Sequence, residues 1–272
     1  MGDARMKGLR QTAKHFAQLM GVYPWIRDTK SSLYWKIENW QWPLLMQLQS
    51  ILGISAAQAR SLSQEFDATG IWQNVNAQIA RETLENPNYF HGTSSEQDLR
   101  ALYILTRVLK PETVIETGVA SGASAATFLR AFKENARGRL YSIDLSPTAW
   151  SALLPAYRER DRVTVPPAKA VGWLIPQDLR AAWNLNVGDS RDVLPKLLKE
   201  LEACDLFYHD AEHTYEAMRW EYETVWPYLT AGAVLASDDV HWSKAFDEFA
   251  KRTPDVQKAY SWRGFGMMKK RK

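Results

Sequence analysis

Between Val114 and Asp144 the chain reads as a buried strand, a glycine turn, a helix and a second strand that closes on an acid. The first strand is Thr113-Val114-Ile115-Glu116, the turn is Thr117-Gly118-Val119-Ala120-Ser121-Gly122, and the second strand is Leu140-Tyr141-Ser142-Ile143 ahead of Asp144. This is the front half of a nucleoside-binding α/β unit: glycines let a backbone approach a ligand closely, and an acid after the second strand is placed to bond ribose hydroxyls. The glycine spacing restricts the ligand further. A pyrophosphate cradle calls for Gly-x-Gly-x-x-Gly, whereas three residues separate Gly118 from Gly122, Glu116 precedes the turn, and no phosphate-loop lysine follows.

A carboxylate beside such a turn suits a ligand that lacks phosphates and carries a positive centre, as the sulfonium of S-adenosylmethionine does. From Tyr89 onward strands and helices alternate, the pattern of a mostly parallel sheet covered on both faces. The expected fold is α/β: a Rossmann-like, doubly wound sheet that is mostly parallel and ends in an antiparallel hairpin over Gln257 to Lys269. Residues 1–88 read as a helical N-terminal extension, with Leu44, Leu45, Leu48, Ile51 and Leu52 at helical spacing and further helices over Ala56–Phe66 and Ile71–Leu84. Asn86-Pro87-Asn88 marks the boundary, and residues 89–272 form the nucleoside-binding domain. Thr93 or Ser94 is placed to cap the next helix, with Glu96 or Gln97 closing a capping box. A helix is expected over Trp150–Tyr157, another over Tyr215–Leu229 and a third over Trp242–Arg252.

Acids fall at successive strand ends: Glu116, Asp144, Asp210 and the pair Asp238-Asp239, with Gly188-Asp189-Ser190 after a further strand. In an open parallel sheet ligands sit beyond these ends, and carboxylates gathered there repel one another unless a cation or hydrogen-bond donors neutralise them. Asp210, Asp238 and Asp239 together offer hard oxygen ligands for Mg²⁺ or another divalent cation. His213, three residues after Asp210, is placed to accept a proton from a substrate hydroxyl. His209 points to the opposite side of its strand and reads as a core residue, while His241 stands near enough to reach the site.

These segments resemble the class I S-adenosylmethionine-dependent methyltransferases, within them the metal-dependent O-methyltransferases. They are most similar to the macrocin and mycinamicin sugar O-methyltransferases and the cephalosporin-hydroxylase-like group. The resemblance rests on Val114 to Gly122, Ser142-Ile143-Asp144, Gly188-Asp189-Ser190 and Leu235-Ala236-Ser237-Asp238-Asp239. It implies that Glu116, Gly118, Ser121 and Gly122 line the methionine and ribose part of the cofactor, that Asp144 bonds the ribose, and that Asp189 and Ser190 sit near the adenine. It implies that the Thr93-Ser94 segment closes over the cofactor. It also implies that Asp210, Asp238 and Asp239 hold the metal and that His213 is the base, where the catechol-type enzymes have lysine.

The expected activity is methyl transfer to a hydroxyl of a small molecule with a vicinal diol, a sugar or glycoside first. A phenolic acceptor, a metal-independent N- or C-methyltransferase, a non-catalytic binding protein and a nicotinamide oxidoreductase stay open. A formal charge of +3 gives no case for nucleic acid, and no apolar run approaches the roughly 20 residues that cross a membrane. The start lacks a signal-peptide core, and the single cysteine, Cys204, excludes an internal disulfide, so a cytoplasmic protein is expected. Tyr23, Trp25, Tyr34, Trp35, Trp40 and Trp42 concentrate aromatic surface ahead of the domain, which suits a substrate cap or the contact of a homo-oligomer.

Overall fold

The computed structural model describes residues 42–86, 89, 92–149, 165, 166 and 168–272. The chain divides into two compact units, Met1–Trp42 and Pro43–Lys272, and the description concerns the second. The helix expected at Trp150–Tyr157, the aromatic side chains from Tyr23 to Trp42, His15 and His91 lie outside the described residues.

Four helices come first: α1 (Trp42–Leu52), α2 (Ala56–Ala68), α3 (Ile71–Glu85) and α4 (Glu96–Leu109). The expected cap of α4 is displaced. Its N-cap is Ser95, whose hydroxyl accepts from the Asp98 amide at 3.3 Å while Asp98 Oδ2 accepts from the Ser95 amide at 3.0 Å. The reciprocal acid stands three residues after Ser95, so neither Glu96 nor Gln97 closes the box, and Thr93 and Ser94 are released to another use.

The sheet follows: β1 (Thr113–Thr117), α5 (Ala123–Asn135), β2 (Arg139–Asp144), β3 (Trp183–Val187), α6 (Ser190–Leu201), β4 (Cys204–His209), α7 (Tyr215–Val225), β5 (Leu229–Ser237), α8 (Ala245–Arg252), β6 (Val256–Trp262) and β7 (Phe265–Lys270). The strand order is β3-β2-β1-β4-β5-β7-β6. The first five strands are parallel, and β7 runs antiparallel to both β5 and β6, as the hairpin expectation required. This is a Rossmann-like α/β arrangement with the first strand beside the central one, β4.

Two expected helices are shorter than their apolar pattern suggested. α7 stops at Val225 because Pro227 has no amide hydrogen to donate, and Trp226–Tyr228 tightens into a 3-10 turn. α8 starts at Ala245, since the Trp242 amide donates to the Asp239 carbonyl at 2.9 Å and Ser243 Oγ accepts from the Ala245 amide at 3.2 Å. Trp242 is thereby left on a loop at the sheet edge.

The strands carry apolar side chains to both faces, as period-two alternation dictates. Val114, Leu206, Val234 and Met267 pack with α1–α5, while their neighbours Ile115, Phe207, Leu235 and Met268 pack with α6–α8. Each such side chain, once fully buried, stabilises the fold by about 1.5–3 kcal/mol. Polar ties fix α1 to the hairpin: Lys258 Nζ and Lys269 Nζ donate to the Ser50 and Ile51 carbonyls at 2.5 and 3.0 Å, where a helix end favours positive charge. Arg100 ties α4 to α2 through the Ser63 carbonyl at 2.8 Å and Asp67 at 2.7 Å.

Candidate active site

The parallel ladder runs one residue past the strand ends and sets the site. The Gly118 amide donates to Ile143 O at 2.9 Å, Asp210 N to Thr117 O at 2.8 Å, and Asp238 N to His209 O at 2.8 Å. Gly118, Asp210 and Asp238 therefore stand side by side on the rim formed by β1, β4 and β5. Gly118 lies far from both acids in the sequence, and only strand pairing brings the three together.

Gly118 (φ +82°) and Gly122 (φ +93°) both hold left-handed backbone. A Cβ on Gly118 would lie 1.9 Å from the Asp210 carbonyl oxygen, and one on Gly122 would lie 2.7 Å from Gly172 Cα. The chain's own backbone thus needs both glycines, apart from any ligand. The turn is held from several sides. Asp144 Oδ2 accepts from the Val119 and Ala120 amides at 2.9 and 2.6 Å, Ser121 Oγ meets Tyr89 OH at 2.6 Å, and Gly172 N donates to Ala120 O at 2.9 Å. Between this turn and Gly92-Thr93-Ser94 lies a cavity of about 10 Å³, also lined by Ser124 and Asp210.

Glu116 is fully buried below the turn, and its carboxylate accepts from Ser124 Oγ and, at 2.8 Å, from Ser142 Oγ. Burial pushes its carboxyl up to about 7 against these two donors. Asp189 caps α6, accepting from the Arg191 amide at 2.8 Å. Ser190 hydrogen-bonds Glu221, a buried carboxylate that also accepts from Thr117 Oγ1 and pairs with His209 Nδ1, at 2.6 and 2.7 Å. Burial opposes ionisation of Glu221, but His209 and the hydroxyls outweigh it and hold the carboxyl below its ordinary range.

Ser94 reaches the rim and not the turn alone. Its hydroxyl donates to Asp210 Oδ2 at 3.1 Å, and Tyr208 OH donates to the same oxygen at 3.2 Å. Burial, then the charge of Asp238, pushes the Asp210 carboxyl well above its usual range. Asp238 is raised to about 7 by burial and by Asp98, and burial also raises Asp239. Asp239 turns toward His241, with Oδ1 3.8 Å from Nδ1. Among the described residues none of these four acids has a Lys or Arg ion pair, and no three His, Cys, Asp or Glu side chains converge as a metal-holding group.

His213 sits across from Asp210, its Nε2 3.7 Å from Oδ1, too long for a hydrogen bond. That nitrogen is buried and has no hydrogen-bond partner. Burial, with help from His209, lowers His213 to about 3 and keeps it neutral, so it holds a lone pair. Its ring lies against His209 and Trp242, with centroids 5.3 and 5.7 Å apart. His209 is the buried histidine expected, yet it is also the neighbour of the candidate base.

Thus the structure brings Asp210, Asp238, His213 and Ser94 together, with Asp239 beside them, and joins Gly118, Ser121, Gly122, Asp144 and Thr93 around the turn. Glu116 lies under that turn, and Asp189 and Ser190 lie at the start of α6. Sequence reasoning missed Tyr208, Asp98, Glu221 and Trp242. Asp98 was hidden as a cap residue, and Glu221 by its place twelve residues beyond His209 on a helix face.

Residues 115–240 match the profile of a methyltransferase domain. The matched stretch runs from β1 to just past the end of β5 and so carries the glycine turn and the acids of the rim. No curated protein matches the chain. The structure is similar to the O-methyltransferase from Bacillus cereus in complex with S-adenosylhomocysteine, at TM-score 0.51 and 14% identity, over 75% of this chain and 91% of that one. It is also similar to the S-adenosylhomocysteine-bound methyltransferase PaMTH1 from Podospora anserina, at TM-score 0.51 and 15% identity, over 75% and 88%. At such identities the likeness concerns the fold. No helix among the described residues is long and apolar enough to cross a membrane.

Proposed function

We propose that the chain moves the methyl group of S-adenosylmethionine to a hydroxyl of a small molecule bearing a vicinal diol, a sugar or glycoside first. The observation that carries this reading is the unpartnered Nε2 of His213 facing Asp210 on the rim that also holds the glycine turn. The turn, with Gly118, Ser121, Gly122, Thr93 and Ser94, holds the methionine part, and Glu116 supports it through Ser124. Asp144 takes the ribose, and Asp189 and Ser190 the adenine side. The cavity between turn and loop is near the size of one water, so Gly92-Thr93-Ser94 must move outward for the cofactor to enter.

The residues also fit a divalent cation. Mg²⁺ takes oxygen ligands and keeps several waters, so one or two carboxylates suffice to hold it. Asp210 and Asp238, half-buried side by side and, among the described residues, without a Lys or Arg ion pair, are such a pair, with Asp239 as the third candidate. A cation bound there supplies positive charge that eases ionisation of the acceptor hydroxyl. His213 receives the hydroxyl proton on Nε2, the oxygen–methyl bond forms, and the methyl–sulfur bond breaks to leave a neutral thioether. Tyr208, and Ser94 when its loop is closed, orient the Asp210 carboxylate. The helical extension over residues 1–88 is assigned to acceptor capping or to contact between two copies.

Among the described residues no three ligands converge, which favours a second reading, methyl transfer without a metal. Release of S-adenosylhomocysteine from diol acceptors, with and without EDTA, separates the two. Loss with EDTA and recovery with Mg²⁺ supports the metal; turnover indifferent to EDTA removes it. His213→Ala should lower kcat by roughly 10²–10⁴ while isothermal titration shows unchanged S-adenosylhomocysteine affinity. Unchanged kcat would dismiss His213 as base.

A further inference from the structure

The glycine turn is held from its outer side by a strap, residues 172–175. Gly172 N donates to Ala120 O and Leu174 N to Ser121 O, both at 2.9 Å, so the strap takes up two successive carbonyls of the turn. The fit leaves no slack. A Cβ on Gly122 would lie 2.7 Å from Gly172 Cα, and one on Gly172 would lie 2.4 Å from the Trp183 indole. Between Gly118 and Gly122, Ala120 holds φ +44°, left-handed backbone that its own side chain disfavours. Strain of that kind persists only where the surroundings over-determine it.

Arg180 fastens the strap. It stands on a 3-10 helix, Gln177–Ala182, and donates from Nη2 to Gly172 O at 2.7 Å and from Nε to Ile175 O at 3.2 Å. Its guanidinium lies over the Trp183 ring, 5.2 Å from the centroid. Trp183 opens β3 and donates from Nε1 to Ser142 Oγ at 2.9 Å, and Ser142 Oγ donates to the Glu116 carboxylate at 2.8 Å. Arg180 is thus joined to both supports of the turn: the strap outside it and, through Trp183 and Ser142, the buried Glu116 beneath it.

Resting on the assignment of this turn to the methionine part of S-adenosylmethionine, we propose that Arg180 is a positioning residue for the cofactor. It acts through the strap, keeping residues 118–122 in the strained shape that receives the ligand, so that binding need not order them. A turn released from the strap visits other conformations, and apparent affinity falls in proportion to the population that stays competent.

Isothermal titration of the full chain with S-adenosylhomocysteine tests this, because it reads stoichiometry and dissociation constant separately. Arg180→Ala should raise the dissociation constant by roughly 10-fold at unchanged stoichiometry, the size of one lost charge-assisted hydrogen bond. Arg180→Lys keeps the charge and loses the two-pronged fork, so it should bind roughly 3-fold more weakly than the wild type. A purely structural role would act the other way: some chains would unfold, the stoichiometry would drop, and the folded remainder would bind as the wild type does. Should Arg180→Ala not fold, Arg180→Lys decides alone by the same criterion. Lys133→Ala breaks the exposed ion pair to Asp178 on the same 3-10 helix and should stay within about 2-fold of the wild type. The proposal falls if the Arg180 variant binds as tightly as the wild type, if stoichiometry alone changes, or if Lys133→Ala weakens binding as much. A wild type that does not bind S-adenosylhomocysteine removes the cofactor reading and the proposal with it. Wild-type binding that survives Arg180→Ala intact removes the proposal alone.

Discussion

Glu116 ends β1 with its carboxylate fixed between the hydroxyls of Ser124 and Ser142 and no exposure to water. Burial disfavours its ionised form more than the two donors favour it, so its carboxyl rises from an ordinary 4.5 to about 7. A raised folded value means that the folded state binds the proton more tightly than the unfolded chain. The stability this provides is complete below about 4.5 and is lost as pH rises through about 7. Glu116→Gln should therefore show urea midpoints that fall less steeply across this window than those of the wild type, which loses in addition up to about 1.4 kcal/mol per unit of the Glu116 pKa shift. Parallel profiles for the two proteins between pH 5 and 8 would refute this. The buried Glu221 works in the opposite sense, since His209, Thr117 and Ser190 keep it charged. Removing one partner of such a buried pair costs about 3–5 kcal/mol, so Glu221→Leu should lower the urea midpoint sharply at neutral pH.

At the scale of elements, the rim is built by loops that leave neighbouring strands in step. Gly118 lies so close to Asp210 that an added methyl would overlap its carbonyl oxygen at 1.9 Å. The loops cannot part without losing the bond from Asp210 N to Thr117 O. Gly118→Ala should cost about 3 kcal/mol or more, combining overpacking with a left-handed backbone. Gly53 shares the left-handed φ at +73° but has nothing within 4 Å of a Cβ, so Gly53→Ala should cost only about 1 kcal/mol. Equal denaturation midpoints for the two variants would show that the close approach is not what fixes Gly118. The shortened α8 belongs to this scale too. Apolar periodicity extended it to Trp242, but hydrogen bonds from the Asp239 turn hold that residue outside the helix.

Over the whole of Pro43–Lys272, α1 to α3 share one apolar cluster with the sheet. Leu44, Leu48 and Ile51 are buried with Val114, Leu206 and Met267. Leu48→Ala should therefore destabilise by about 2–5 kcal/mol, read as a lower denaturant midpoint with an unchanged slope. The described residues should still unfold in one transition. A separate early transition confined to the helices would show that they fold independently of the sheet.

Short-range patterns made most of the fold readable. Strands announced themselves by apolar runs, α5 by its glycine turn, and the hairpin by residues 257–269, because each is set by neighbours in the chain. The acids at 210, 238 and 239 and the histidine at 213 were legible for the same reason, as strand ends followed by loops. What those side chains touch was not legible. Ser94 bonds an oxygen 116 residues away, Asp144 ties down amides 24 and 25 residues before it, and Lys269 reaches across 218 residues to a helix end. By itself the sequence determined the order of strands and helices and which residue types sit at their ends, through backbone periodicity and turn chemistry. Tertiary structure alone decided which of these ends meet, which acids are driven toward protonation and which indole is left open. Pairing between distant strands and the desolvation it imposes depend on contacts that no local pattern records.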